Sequence, residues 1–269
     1  MPRLRVSAIS YLNTAPLMWD FDHGELRRDY RVDYTLPSAC AEMLRNDVAD
    51  IGIIPVAAYA TIPGLVVVPD IAIASRGAVR SILLISKVPI EQIKTVAADT
   101  SSRSSVALMQ VLFQKFYKTT PTFVPMPPDM KPMLKSCDAG LLIGDPALLA
   151  DTNGYRVYDL AEEWKRFTGK SFVFAFWAVR KDALAGHDPA KVIRDFQLSR
   201  DHGLHPASMD KIAKEWSVRL GLSESNITSY LRDNIYYKLD EDCLDGLRLF
   251  YQYAVDCRAL PQAPALAFI

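Results

Sequence analysis

Asn13, Ser81 and the run Thr100-Ser101-Ser102 are polar residues placed where this 269-residue chain could do chemistry. Asn13 lies in the polar turn Ser10, Tyr11, Asn13 and Thr14, just after a strand with Leu4, Val6 and Ala8 on one side. An amide both donates and accepts, so it can hold a hydroxyl or an enol oxygen. The competing reading is a cap on the helix expected to begin near Pro16. Ser81 and Arg80 open a later apolar run, Val79 to Ser86. No G-x-S-x-G surrounds Ser81, and no histidine falls in the predicted cleft segments to activate it. A hydrogen-bonding role therefore suits it better than nucleophilic attack. Thr100, Ser101 and Ser102 sit just before a helix, whose first N–H groups are unpaired and carry positive partial charge. Hydroxyls beside such groups make a seat for a carboxylate or phosphate; the alternative is simple capping. Asp145, in Gly144-Asp145-Pro146 at a strand tip, is either a base or a loop-ordering residue, and the second is preferred.

These residues need a frame in which strand ends face one another, and the chain supplies it twice. After the first turn, Tyr30 to Leu36 alternates as a strand. A short helix follows Pro37, with Ser38 as its N-cap, and ends near Asn46. Ala49 to Ile54 is a buried strand closed by Pro55, and Leu65 to Val68 and Ile71 to Ala74 read as two more strands. The pattern then restarts. Thr95 to Ala98 is a strand, Asp99 to Ser105 a polar turn, and Val106 to Tyr117 an amphipathic helix with Leu108, Val111, Leu112 and Phe116 at helical spacing. Ala139 to Ile143 is a buried strand closed by Gly144-Asp145-Pro146. The stretches Leu44 to Pro55 and Leu134 to Pro146 match in layout rather than identity. They predict two α/β lobes of one design, with polar strand ends across a cleft. Residues 1–86 and 175–269 are assigned to lobe one and 87–174 to lobe two. The aromatic strand Ser171 to Arg180 returns the chain to lobe one; its rings read as core, with Phe172 or Phe174 the candidate for the cleft wall. Helices over about 189–201, 206–220, 224–235 and 240–258 are expected to pack on lobe one and to carry no chemistry.

Composition narrows the function. Half the residues are apolar, and 31 basic residues balance 31 acidic ones, which argues against a nucleic-acid binder. No stretch approaches the roughly 20 apolar residues of a membrane span, and the N-terminus has no secretory core, so the expectation is a cytoplasmic protein. Cys40, Cys137, Cys243 and Cys257 form no C-x-x-C pair and read as buried free thiols. His202 and His205 are interrupted by Gly203 and followed by Pro206, which suits a turn better than a metal site. Neither G-x-x-x-x-G-K-[ST] nor G-x-G-x-x-G occurs, so nucleotide binding has no support. What remains is a two-lobe binder of a small acid. It is either a plain binding protein or an enzyme working mostly by orientation.

Five motifs then resemble, in order, the chorismate dehydratase family of the futalosine route to menaquinone: Ser10-Tyr-Leu-Asn-Thr-Ala-Pro16, Asp50-Ile-Gly-Ile-Ile-Pro55, Val79-Arg-Ser-Ile-Leu-Leu-Ile-Ser86, Asp99-Thr-Ser-Ser-Arg-Ser-Ser105 and Leu142-Ile-Gly-Asp-Pro-Ala147. The resemblance implies a type II periplasmic-binding-protein-like fold used as a cytoplasmic enzyme. It also implies dehydration of chorismate to 3-[(1-carboxyvinyl)oxy]benzoate with no metal or organic cofactor. Asn13 and Ser81 match the family's polar positions near the reacting centre. Ser10, Tyr11, Arg80, Thr100, Ser101, Ser102, Gly144 and Asp145 are the residues expected to bind substrate. The expected proton acceptor is the substrate's own enolpyruvyl carboxylate. The rivals are 1,4-dihydroxy-6-naphthoate synthase of the same pathway, against which the opening motif argues, and a solute-binding protein for a small carboxylate.

Overall fold

Alternating apolar residues make Leu4–Ile9 a strand, β1. In the computed structural model of the protein, which describes residues 3–269, it lies inside a five-stranded sheet. The strands are β1, β2 (Tyr30–Thr35), β3 (Ile51–Pro55), β4 (Leu65–Ser75), β5 (Ile82–Ser86), β6 (Thr95–Asp99), β7 (Thr122–Met126), β8 (Ala139–Ile143), β9 (Arg156–Asp159) and β10 (Phe172–Arg180). One sheet has the order β2-β1-β3-β10-β4, the other β7-β6-β8-β5-β9. In each, a central strand runs parallel to both neighbours: β1 to β2 and β3, β6 to β7 and β8. The next strand outward, β10 or β5, is antiparallel. The sheets are thus the same design built twice. The matched stretches ending at Pro55 and Pro146 supply β3 and β8, equivalent strands buried at every residue, as parallel strands covered on both faces must be.

Several expectations are corrected. Ile82–Ser86 was placed with lobe one, but β5 pairs with β8 and β9 and belongs to the second sheet; its apolar run alone could not say which sheet it joins. The strand starts at Ile82 rather than Val79, because Arg80 has a left-handed backbone (φ 62°) that breaks the extension. The runs 65–68 and 71–74 are one bulged strand, β4, with Asp70 at φ 63° between them. Ser38 is not a cap: the helix Pro37–Arg45 begins with proline after Leu36, and the Ser38 N–H donates to the Ser101 carbonyl (3.1 Å). The helix after the serine-rich turn starts at Ser104 and widens into a π-helical turn over Leu112–Tyr117.

Of the C-terminal helices, Pro189–Gly203 packs on β4 and Glu241–Asp256 on β10, while Pro206–Leu220 and Glu224–Ser229 pack on each other, followed by a π-helical turn at Tyr230–Asn234. Phe196 stacks edge-on against Trp177, and Phe250 against Phe172 and Trp164. Bridges from Tyr236 to Ala74 and from Phe268 to Val67 cover the edge of β4, which would otherwise expose unpaired backbone. All four cysteines are buried and unbridged. His202 pairs with Asp20 (2.8 Å), and His205 precedes the helix Pro206–Leu220. Among the described residues no helix is long and apolar enough to cross a membrane.

Candidate active site

The C-terminal ends of β1, β3, β6 and β8 meet the start of β5 and the middle of β10 around one cavity, with about 450 Å³ of empty space including its mouth. Small-molecule sites in α/β folds sit at such strand ends. The turn after β1 contributes Tyr11 and Asn13, the segment before β5 contributes Ser81, the turn after β6 contributes Ser102, Ser104 and Ser105, and β8 ends in Gly144. Phe174, Ile73, Ile143 and Pro55 make much of the apolar wall, and no charged side chain is among the lining residues.

Asn13 and Ser81 share the cavity wall, and behind Ser81 stands a residue the sequence did not single out. Tyr230, buried at the start of the π-helical turn in the C-terminal region, donates its phenol proton to Ser81 Oγ (2.8 Å). Burial pushes the Tyr230 phenol well above its ordinary range, so it stays protonated at neutral pH. Its sequence context, Ser-Tyr-Leu-Arg on a helix, reads as packing, and only the docking of that helix reveals its polar end.

The serine-rich turn is also rearranged. Thr100 is exposed and does not line the cavity. Ser101 is buried but turned back, donating through N–H (2.8 Å) and Oγ (2.6 Å) to Asp99 Oδ1. Burial raises the Asp99 carboxyl, and its other oxygen is buried without a partner. Ser102 lines the cavity while accepting from the Ser105 N–H (3.2 Å), so capping and site-lining are both true of it. Ser104 and Ser105 complete the wall, although neither was singled out. The signal was present: in a Ser-rich turn ending at a helix, the residues at the helix start face the same strand ends as the cap.

Contacts across the cleft hold the lobes closed. The Leu12 N–H donates to Asp145 Oδ1 (2.9 Å) and the Ala57 N–H to Ser104 Oγ (3.1 Å), while Ser104 Oγ donates to the Phe174 carbonyl (3.1 Å). Gly144, at φ 60°, lies so close to the Tyr11 ring that a Cβ would stand 2.3 Å from it. Burial pushes the Asp145 carboxyl up to about 6, opposed by the Leu12 N–H. Asp145 therefore orders the closed cleft and is not a lining residue.

Two further expected ligands point elsewhere. Ser10 faces a neighbouring cavity with Trp216 and Arg219, and its carbonyl accepts from Arg219 (3.3 Å). Arg80 is absent from the wall because its left-handed backbone turns the guanidinium toward Asn226 (2.9 Å) and Ser229 (3.3 Å). Tyr11, Asn13, Ser81, Ser102 and Gly144 remain in the cavity wall, and of the two aromatic candidates it is Phe174 that joins them.

Two lobes of one design closing on a cavity at their strand ends define a periplasmic-binding-protein-like fold of type II. Solved structures agree. Protein AF1704 from Archaeoglobus fulgidus superposes with a TM-score of 0.73 at 17% identity, covering 94% of this chain and 97% of that one. The periplasmic aliphatic sulphonate binding protein SsuA from Escherichia coli gives 0.65 at 17% identity, covering 98% and 95%. The chain belongs to the family described as "Menaquinone biosynthesis", whose sequence model matches residues 4–256. It is 28% identical over 275 aligned residues to a protein of Thermus thermophilus named chorismate dehydratase, with 94% of each chain covered.

Proposed function

We propose that the chain is a chorismate dehydratase, a carbon–oxygen lyase that converts chorismate to 3-[(1-carboxyvinyl)oxy]benzoate and water. The reading is supported by the family, by the relative of that name, and above all by a hydroxyl and amide cluster in a cavity without charged side chains. The reaction removes the ring proton from the carbon bearing the ether and the hydroxyl from its neighbour. The C–H electron pair becomes a ring double bond, and the hydroxyl leaves with its bonding pair and one proton as water. Aromatisation supplies the driving force, so the protein has to orient and stabilise rather than react covalently.

In this proposal Asn13 and Ser81 hydrogen-bond the departing hydroxyl. The N-terminus of the helix Ser104–Val111, with Ser102 and Ser105, seats a substrate carboxylate. The substrate's enolpyruvyl carboxylate takes the ring proton. The lobes built on the two sheets close over the substrate and exclude water. The test is to incubate the purified protein with chorismate, without metal or nucleotide, and follow products by chromatography and mass. Loss of one water with formation of the enolpyruvyl benzoate is expected; unchanged chorismate with folded protein would sink the proposal, and tight capture without product would point to a binding role.

A further inference from the structure

We propose that Tyr230 is a positioning residue for Ser81, directing the Ser81 hydroxyl proton into the cavity, and that Arg80 straps it in place. The proposal rests on the dehydratase reading. Ser81 Oγ carries one proton and two acceptor sites. The Tyr230 phenol fills one acceptor site from behind at 2.8 Å, both groups being about 2% exposed or less. No other hydrogen bond to Ser81 Oγ is present among the described residues, and Ser81 lines the cavity. Its own proton is therefore left for whatever occupies the cavity. Donation into Oγ also polarises the outgoing O–H and makes it a stronger donor, as the departure of a substrate hydroxyl requires.

The second observation is how the tail is fastened. Arg80 reaches from the residue before Ser81 to Asn226 Oδ1 (2.9 Å) and Ser229 Oγ (3.3 Å), on the helix that leads into Tyr230. Asn234, at the end of the same turn, donates back to the Ala78 carbonyl (3.0 Å). The segment 78–81 and the turn carrying Tyr230 are thus clamped on both sides of the phenol–hydroxyl bond. A helix needed only for packing would not need these three polar ties to one tight segment.

The experiment compares wild type, Y230F, S81A and the double variant for kcat with chorismate and for affinity toward the enolpyruvyl benzoate product. Y230F is expected to lose about tenfold in kcat, the worth of one hydrogen bond, with product affinity changed less than about twofold, because the phenol does not touch the ligand. S81A is expected to lose more, and the double variant to match S81A, since Tyr230 acts only through Ser81. Wild-type kcat in Y230F, or a double variant about tenfold slower than S81A, overturns the proposal. Should Y230F alone not fold, the double variant leaves neither partner orphaned, and its comparison with S81A decides the matter by itself. A wild type that forms no product overturns the dehydratase reading and the roles of both residues with it.

Discussion

Asp145→Asn removes a charge that the closed protein has to bury. Asp145 is 9% exposed, and its carboxyl is pushed from the ordinary 3.8 up to about 6, chiefly by desolvation. An acid whose folded pKa lies above its unfolded one adds stability below the unfolded value and loses it as pH rises through the folded value. At about 1.4 kcal/mol per pH unit, the gap between 3.8 and about 6 makes the total loss about 3 kcal/mol. Linkage places about 2 kcal/mol of it between pH 4.5 and pH 8. Asparagine keeps an oxygen to accept from Leu12 N–H but carries no charge, so the variant lacks this loss. The other buried acids, Asp99 and Asp159, are common to both proteins and cancel in the difference. Urea unfolding of both proteins at pH 4.5 and pH 8 measures it: the stability of Asp145→Asn relative to wild type should rise by about 2 kcal/mol at the higher pH. A difference constant to within about 0.5 kcal/mol between the two pH values would refute the argument that closure buries an ionising carboxylate.

Asn13→Asp keeps the size, adds a negative charge to an uncharged wall and removes a donor; turnover should fall by about a hundredfold or more, and full turnover in a steady-state assay would remove Asn13 from the mechanism. Gly144→Ala places a Cβ 2.3 Å from the Tyr11 ring at a backbone φ of 60°; it should cost more than about 1 kcal/mol of stability in urea unfolding and weaken product affinity because the lobes cannot close fully. Arg80→Met cuts the ties to Asn226 and Ser229 without touching the cavity. Its kcat should fall by up to about tenfold while KM stays near wild type; a KM rise with unchanged kcat would return Arg80 to the substrate-binding role that its place in the sequence suggested.

Much of the frame is legible in the chain because the information is local. The buried runs ending at Pro55 and Pro146 read as strands from their apolar content. Their shared layout predicts two lobes, and the polar turn at Asn13 follows directly from the strand before it. Ser81 is visible as a polar residue beside an apolar run. The places where sequence reasoning failed are set by long-range geometry. Which sheet takes Ile82–Ser86 depends on pairing with β8 and β9, and no local pattern encodes a partner. Arg80 looks like a cleft cation until its left-handed backbone turns it toward the tail. The hydroxyls of the serine-rich turn divide between Asp99 and the cavity only once β6 is docked. Tyr230 is silent in the sequence because an amphipathic tail residue looks the same whether its phenol meets solvent or Ser81, 149 positions away. Most strands, the two-lobe layout and the polar turns can be read from the chain alone, because periodicity and turn chemistry act over a few residues. Which hydroxyls face the cavity and which residue stands behind them emerges only with folding, because a hydrogen bond is directional and its partner is chosen by packing across the chain.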